Sequence, residues 1–266
     1  MPPGTPLYMT WINDARRLWP HVEPLIPQQR ERTRAIGGRP RVSDKEVFFR
    51  LFWFLRAGCS WSAWPESGPS ARTCRRRLRE WRDARVFERL LESLGQQAEL
   101  KDEPVYLDAT FIRARGGGES VGLTRHGKGC KLQLYVGADS LPRGFTLAPA
   151  NQGETKLVAS TLAARFAGPA PAALVMDAAY DANWLHEYLA EHGATSWAKR
   201  NPTHTGPSSR DEELGGEYRN RWLVERCFAW LAAFRRLATR WERVLANYRS
   251  WLCLGIAALY VRRFWP

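Results

Sequence analysis

The pattern of apolar and polar residues changes near residue 104. Before that point, apolar residues recur at the three- and four-residue spacing of amphipathic helices, and proline or glycine separates the stretches. After it, short apolar runs rich in β-branched and aromatic residues predict strands. The polar segment Lys101–Pro104 lies between the two patterns. We therefore predict an all-helical domain over residues 1–102 and a mixed α/β domain over residues 103–266.

A buried helix is predicted after Ser43. This serine is a typical N-cap, and Glu46 stands three residues later, where it would complete a capping box. The run Val47–Leu55 is apolar nearly all round, so we expect the helix to lie inside its domain. Gly58 should end it.

An arginine-rich helix is predicted over Ser70–Arg82. Cys74, Leu78 and Trp81 fall on one face, which should pack inward. The other faces carry Arg72, Arg75, Arg76 and Arg79. A buried helix, a turn and an arginine-studded helix form the outline of a helix-turn-helix, so these arginines either contact DNA or form a solvated face. The basic link before Ser43, with Arg39 and Arg41, either lies along phosphates or is a solvated turn.

The second domain reads as three strands followed by alternating helices and strands. In chain order the predicted elements are strands at 105–113, 131–138 and 145–150, a helix at 154–166, a strand at 173–176, a helix at 183–192, a strand at 195–198 and a long helix from about 218. This order is the one expected of an RNase H-like fold, a mixed sheet flanked by helices.

Two acids stand in or at the end of apolar strands. Asp108 interrupts the first strand, and Asp177 ends the strand that begins at Ala173. A buried carboxylate is costly unless a positive charge meets it, and a metal ion is the natural candidate. The alternative is that each aspartate merely begins a turn. A third acid, Glu225, shares a helix face with Tyr218 and Arg221, and by itself this is equally an ordinary surface ion pair.

Composition indicates the kind of binding partner and the cellular compartment. The formal charge of +13 favours an acidic polymer, nucleic acid above all. Five dispersed cysteines without metal spacing indicate reduced thiols in a cytosolic compartment. We see no signal peptide and no apolar run long enough for a membrane. The histidines show no ligand spacing, and His186 and His192 are predicted to be surface or helix-capping residues. Most of the tryptophans, including Trp222 and Trp230, are predicted to be core.

The motifs together resemble a known family. Tyr218, Arg221 and Glu225, spaced by two and three residues, resemble the signature of the bacterial insertion-sequence transposases of the DDE type, and Glu225–Leu231 is similar to insertion-sequence family five in particular. Further similar stretches are Gly38–Arg41, Leu55–Trp61, Arg76–Trp81, Asp108–Arg115, Gly122–Arg125, Asp177–Asp181 and Phe234–Leu237.

The resemblance implies an enzyme that binds terminal inverted repeats and performs DNA cleavage and strand transfer in the bacterial cytosol. Asp108, Asp177 and Glu225 would be the catalytic residues and would hold two Mg²⁺ ions, with Mn²⁺ as a substitute. Tyr218 and Arg221 would contact DNA, as would Arg235 or Arg236 in place of the usual lysine, whose position is Ala232 here. The partners implied are transposon-end and target duplexes, and at least a homodimer on DNA.

Two other functions remain open at this point. One is a catalytically silent DNA-binding protein descended from a transposase, and the other is a metal-dependent nuclease without strand transfer. Retention of all three acids favours the transposase. The glycine that the family often carries after its second acid is Ala179 here, which affects DNA contacts and efficiency rather than the carboxylates.

Overall fold

The computed structural model describes residues 7–28, 41–201 and 216–266, with backbone alone for residues 7–11. The helices are α1 Leu7–Val22, α2 Asp44–Ala57, α3 Ala71–Asp83, α4 Val86–Gln97, α5 Val158–Ala163, α6 Asn183–Glu191, α7 Trp222–Ala232, α8 Arg235–Ala238 and α9 Leu245–Phe264. The strands are β1 Val105–Ala114, β2 Gly122–Thr124, β3 Gly127–Val136, β4 Pro142–Pro149, β5 Ala173–Met176, β6 Thr195–Ala198 and β7 Thr239–Arg240.

The chain forms two compact units. The helical unit comprises residues 1–94, 234–237 and 246–266, and the sheet unit comprises residues 95–233 and 238–245. The change at residue 94 lies near the predicted junction. Residues 246–266, which the sequence assigned to the second domain, pack instead with the amino-terminal helices.

The helical unit is built around α2 and α9. In α2, Val47, Phe48, Leu51, Phe52, Phe54 and Leu55 are buried, as the apolar run predicted. Its end is also as predicted, because Gly58 adopts a φ of 63° and donates its N–H to Phe54. Its start differs: Ser43 is the N-cap, but its side chain makes no capping bond, so the predicted capping box is not formed. The next serine cap does form, with Ser70 accepting from the Thr73 amide at 3.2 Å.

The sheet unit holds one mixed sheet. β1 lies at its centre, antiparallel to β3 and parallel to β5, and β6 follows β5 in parallel. β4 pairs with β3, which completes the predicted three-strand meander. One face of the sheet is covered by a core that includes Leu107, Tyr135, Met176, Leu185 and Leu189. The arrangement is RNase H-like, with the mixed sheet flanked by helices, and this part of the prediction is confirmed.

Several boundaries differ from the pattern. The helix predicted at 154–166 is a 3₁₀ turn at Thr155–Leu157 followed by the short α5. The predicted long helix near 218 begins as a 3₁₀ segment, Glu217–Arg221, before α7. The short strands β2 and β7 were not predicted, since two or three residues carry too little alternation to read. Over the described ranges, none of the helices combines the length and apolar character needed to cross a bilayer.

Candidate active site

Asp108 lies in the middle of the central strand. It stands opposite Leu134 in the antiparallel register of β1 and β3, so its side chain points to the face opposite the Leu107 and Tyr135 core. The helix α7 packs against β1 and β3. The Asp108 side chain is 18% exposed and accepts a hydrogen bond from the Ala109 amide at 2.7 Å.

Asp177 follows the neighbouring parallel strand. Val105 pairs with Leu174 and Tyr106 with Val175, and continuing that register by two residues places Asp177 beside Asp108. Adjacent strands are about 4.8 Å apart, so the two aspartates occupy neighbouring positions at one end of β5. Asp177 also caps the turn after the strand, because its Oδ1 accepts from the Ala179 amide at 2.9 Å. The turn-forming role of Asp177 is therefore observed, in a residue that also lies beside Asp108.

Arg221 supplies the positive charge at this position. Its Nη2 lies 3.3 Å from Asp108 Oδ2, and its Nη1 lies 3.4 Å from the Tyr218 hydroxyl. The guanidinium carbon lies 5.5 Å from the centre of the Tyr218 ring. Burial lowers the pKa of Arg221, but Tyr218 and Asp108 together raise it above its ordinary value. The predicted face of Tyr218 and Arg221 thus meets the first acid directly.

The charge at Asp108 is only partly compensated. Burial raises the pKa of Asp108 to about 6, and repulsion from Asp177 and Glu154 adds to it. The Ala109 amide and Arg221 act in the opposite direction and do not cancel the effect. A carboxyl with a raised pKa between a second carboxylate and one guanidinium is a position that favours an additional cation.

Glu225 lies on α7, one turn beyond Arg221, and its side chain is exposed. Among the residues that the structure describes, no three acid, histidine or cysteine side chains converge closely enough to hold a metal ion. Besides Asp177, Glu154 is an acid whose charge reaches Asp108, and it also pairs with Lys131 at 2.9 Å. Of the three predicted carboxylates, the strand register places Asp108 and Asp177 side by side.

A buried polar network supports the core face of the sheet near the two aspartates. Gln133 donates to the Tyr180 hydroxyl at 3.0 Å and to the Glu154 carbonyl at 2.9 Å, and it accepts from Thr161 at 2.8 Å. Tyr180 belongs to the same turn as Asp177, and burial raises its pKa far above the ordinary value. Sequence reasoning did not find this network, because its members are far apart in the chain and share no motif.

His186 corrects another prediction. It is 4% exposed rather than a surface residue. One ring nitrogen lies 2.5 Å from Ser196 Oγ and the other 3.0 Å from Asp181 Oδ1. Asp181 also accepts from the Asn201 amide at 2.8 Å. His186 thus links α6 and β6 to the segment that carries Asp177, and its role is structural.

The outer face of α7 also differs from the prediction. Trp222 and Trp230 are 49% and 37% exposed, not core residues. The guanidinium of Arg226 lies between them, 4.5 Å and 4.9 Å from the two ring centres, and donates to Ser140 at 2.9 Å. Indole rings were assigned to the core because large aromatics usually are buried, but this helix packs on the sheet through Leu223, Val224, Cys227 and Leu231.

Most of the predicted DNA-binding arginines that the structure describes in the helical unit are exposed. On α3 these are Arg72, Arg75, Arg76 and Arg79, while Cys74, Leu78 and Trp81 are buried as expected. Arg41 is exposed but pairs with Asp44 at 3.0 Å, and Arg39 lies outside the described residues. Arg235 is exposed.

Arg236 is the clear exception among these arginines. It is 3% exposed, donates to the Cys59 carbonyl at 2.8 Å and packs 4.4 Å from the centre of the Phe54 ring. Its guanidinium is occupied inside the helical unit, so the prediction that it contacts phosphate is wrong. Arg235 is the residue of this pair that keeps an accessible charge.

Comparison with known proteins identifies the class. Residues 99–260 match a family model described as a transposase DDE domain, and residues 15–91 match one described as a putative transposase of the IS4/5 family. The chain therefore belongs to the DDE transposases, enzymes that cut and transfer DNA. Within that class it is of the insertion-sequence type.

Individual relatives agree with this assignment. The chain is 32% identical over 133 residues to a putative transposase for insertion sequence element IS6501 of Brucella ovis, covering 50% of this chain and 98% of the relative. It is 35% identical over 113 residues to an uncharacterized 16.2 kDa protein of insertion element IS402 from Burkholderia cepacia, covering 40% of this chain and 77% of the relative. A piggyBac transposase, solved in a synaptic complex with hairpin DNA, shares the fold at a TM-score of 0.56 and 8% identity, over 96% of this chain and 74% of that one.

Proteins with the DDE domain generally use divalent metal ions. The donor set here suits such an ion in part. Two hard carboxylates, from Asp108 and Asp177, occupy neighbouring positions, and burial raises the pKa of Asp108, a cost that a bound cation would offset. Glu225, the third predicted carboxylate, is exposed on α7. Asp108 and Asp177 fit as two of the ligands.

Proposed function

We propose that this protein is an active transposase that binds the terminal inverted repeats of its insertion sequence, cuts the DNA at their ends and joins the cut ends to target DNA. The observation that supports this most directly is the placement of Asp108 and Asp177 on adjacent central strands with Arg221 3.3 Å from Asp108. The match of residues 99–260 to the transposase DDE domain supports a catalytic role for these two aspartates.

The reaction joins an attacking oxygen to a backbone phosphorus while the phosphorus bond to the leaving 3′-oxygen breaks. Water is the attacking group in cleavage, and the freed 3′-hydroxyl is the attacking group in strand transfer. Divalent ions, Mg²⁺ above all and two of them by the family pattern, activate the attacking oxygen and stabilise the leaving one when bound. In this proposal Asp108 and Asp177 hold the ions, with Glu225 as the third carboxylate.

Arg221 has a specific part in this proposal. Its guanidinium can pair with a phosphate oxygen in the bidentate manner that carboxylates and phosphates share. A DNA phosphate would thus take the place that Asp108 holds in the free protein. Tyr218, whose hydroxyl lies 3.4 Å from Arg221, would orient the guanidinium or contact the same strand.

The helical unit would supply binding to the transposon end. The stripe of exposed arginines on α3 fits insertion beside a duplex backbone, and Arg235, Arg41 and Arg39 would add further phosphate contacts. Pairing of two transposon ends requires at least two copies of the chain, so we propose a homodimer or larger assembly on DNA. Its place of action would be the bacterial cytosol and nucleoid.

Two observations favour a second candidate. Glu225 is exposed, and Ala232 stands where the family signature usually carries lysine. A DNA-binding descendant that no longer cuts would tolerate both features. Under this alternative the α3 arginines still bind DNA, but the carboxylates no longer support cleavage.

The deciding experiment is cleavage of a duplex that carries the repeat bounding the gene, with Mg²⁺ or Mn²⁺, beside Asp108→Asn. Cutting at the repeat boundary that disappears in the variant supports the transposase. Binding without cutting in either metal supports the silent descendant. Cutting without joining to a target plasmid supports a nuclease that lacks strand transfer.

A further inference from the structure

The carboxyl end of β1 carries exposed cations that the candidate site does not use. Arg113 is the penultimate residue of the strand and Arg115 follows the strand, the hairpin of β2 and β3 adds Arg125 and Lys128, and the segment after β7 adds Arg243. All five side chains are exposed. We call these five residues the basic sheet end.

The segments that carry the basic sheet end are joined to one another within the sheet unit. On one side of β1, Arg113 lies opposite Gly129 of β3 and donates to the His126 carbonyl at 3.3 Å. On the other side, Arg113 pairs with Thr239 of β7. The next segment is fixed as well, because the Glu119 amide donates to the Arg243 carbonyl at 2.9 Å. The end of β1, the hairpin and the segment after β7 therefore place their cations at one end of the sheet, with Arg113 and Lys128 on opposite faces of it.

Acids do little to neutralise this surface. Among the described residues, no ion pair joins any of the five cations to a carboxylate. Two acids lie nearby: Glu119 is exposed and accepts from the Leu245 amide at 2.8 Å, and Glu242 is only 7% exposed. Elsewhere in the chain comparable arginines are paired, as Arg143 is with Glu103. Five cations held near one another without such partners favour a polyanionic ligand.

Apolar side chains lie among these cations. Leu123, Trp241 and Val244 are 69%, 47% and 38% exposed, and they belong to the same hairpin and the same segment after β7. The guanidinium of Arg115 lies 5.9 Å from the centre of the Trp241 ring. Cations mixed with exposed apolar groups suit the sugar–phosphate backbone, which offers both charge and the apolar faces of sugars.

We propose that the basic sheet end binds the backbone of duplex DNA to one side of the reaction centre. The proposal rests on the proposed function, because it takes Asp108 as the position of the reacting phosphate. Lys128 is the reference residue, because it lies on the same face of the sheet as Asp108: Leu134 stands opposite Asp108, and Lys128 is six residues from Leu134 along β3. That separation is about 20 Å at about 3.3 Å per residue. At about 3.4 Å of duplex per base pair, the contacted phosphates lie roughly six base pairs from the scissile one.

The test compares duplex lengths and two sets of variants. The first set is Arg113→Gln, Lys128→Gln and Arg243→Gln combined. The control set is Lys101→Gln, Lys156→Gln and Lys199→Gln, which removes the same charge from exposed positions of the same unit. Binding is measured by fluorescence anisotropy over a range of salt, on repeat duplexes that extend about three or about twelve base pairs beyond the cleavage position.

We expect the wild type and the control set to bind the longer duplex about tenfold more tightly than the shorter one, and the first set to lose that gain. The salt slope of the first set on the longer duplex should also fall by about 2 to 3. Cleavage of the short duplex should be unchanged. A further variant with Arg113→Lys and Arg243→Lys keeps the charges and should keep the gain, which separates charge loss from misfolding.

Three results would overturn the proposal. The first is equal behaviour of the two sets on the longer duplex. The second is an equally large gain in affinity when the extension of the duplex is single-stranded. The third is a change in the oligomeric state of the DNA-free protein in the first set, with the length dependence intact, which would make this surface a protein interface. Failure of the wild type to bind or cut the short duplex would instead count against the proposed function.

Discussion

Arg221 and Asp108 form an ion pair, 3.3 Å from Nη2 to Oδ2, between the segment that begins α7 and the central strand of the sheet. The side chains are 19% and 18% exposed, so the pair is largely shielded from solvent. The pair also leaves the Arg221 Nε buried without a hydrogen-bond partner. The free protein therefore meets its central carboxylate with an arginine, in an arrangement that a bound cation or phosphate would have to change.

Replacing Arg221 with Ala should destabilise the metal-free protein in a pH-dependent way. The folded-state pKa of Asp108 is raised to about 6, so the ionised carboxylate is costly in the fold and Arg221 offsets part of that cost. At neutral pH the variant should lose about 1–3 kcal/mol of unfolding free energy. The loss should shrink in buffer below the pKa of Asp108, where the carboxyl is protonated. Denaturant titrations in chelator at the two pH values measure this, with the exposed Arg219→Ala as control. An equal loss at both pH values would contradict it.

Replacing Asp108 with Asn should stabilise the metal-free protein at neutral pH. A carboxyl whose pKa is raised on folding lowers stability as pH rises from its unfolded value through its folded value. Removing it should recover about 1–3 kcal/mol at neutral pH, and little at acid pH. The wild type should gain thermal stability on addition of Mg²⁺, whereas the variant should not. A stabilisation by Mg²⁺ that survives in Asp108→Asn would remove this residue from the metal site.

Replacing Glu225 with Gln separates catalysis from stability. Because Glu225 is exposed, the variant should unfold within about 0.5 kcal/mol of the wild type. Because the proposed function takes Glu225 as the third carboxylate, cleavage should fall by about a hundredfold or more. Glu154→Gln is the matched comparison, since the charge of Glu154 reaches Asp108 in the free protein. Loss of cleavage in Glu154→Gln, with full activity in Glu225→Gln, would make Glu154 the third carboxylate.

Arg235 and Arg236 should behave in opposite ways although they are adjacent. Arg236→Ala removes a buried guanidinium and its bond to the Cys59 carbonyl, and should cost about 2–4 kcal/mol. Arg235→Ala should leave stability within about 0.5 kcal/mol and weaken DNA binding, with a smaller salt slope. Thermal melts and anisotropy on the repeat duplex give both readings. A stable Arg236→Ala that binds DNA poorly would restore the original assignment of this arginine.

His186→Ala should destabilise the sheet unit by about 2–3 kcal/mol, because it leaves Asp181 and Ser196 without their shared buried partner. His192, four residues beyond Tyr188 and exposed, is the matched control. His192→Ala should change stability by less than about 0.5 kcal/mol. Equal effects of the two substitutions would show that the buried bridge contributes little.

The sequence by itself determined the element order and the two aspartates. Strand and helix periodicity depend on residues that are near one another in the chain. The meander, the alternating elements after it and the positions of Asp108 and Asp177 could therefore be predicted without the tertiary structure. The inward face of α3 followed from the same kind of local spacing. Recognition of Tyr218, Arg221 and Glu225 also needed only the chain.

Tertiary structure alone decided which of these residues meet. Helical spacing puts Arg221 and Glu225 on one face. The packing of this segment against the sheet then brings Arg221 to Asp108, while Glu225 stays exposed. Arg236 is buried against the distant Cys59, and His186 is buried between Ser196, ten residues away, and Asp181. Trp222 and Trp230 stay exposed because α7 packs on the sheet through its other face. Such contacts leave no local period, because the free energy that fixes them comes from packing between distant segments.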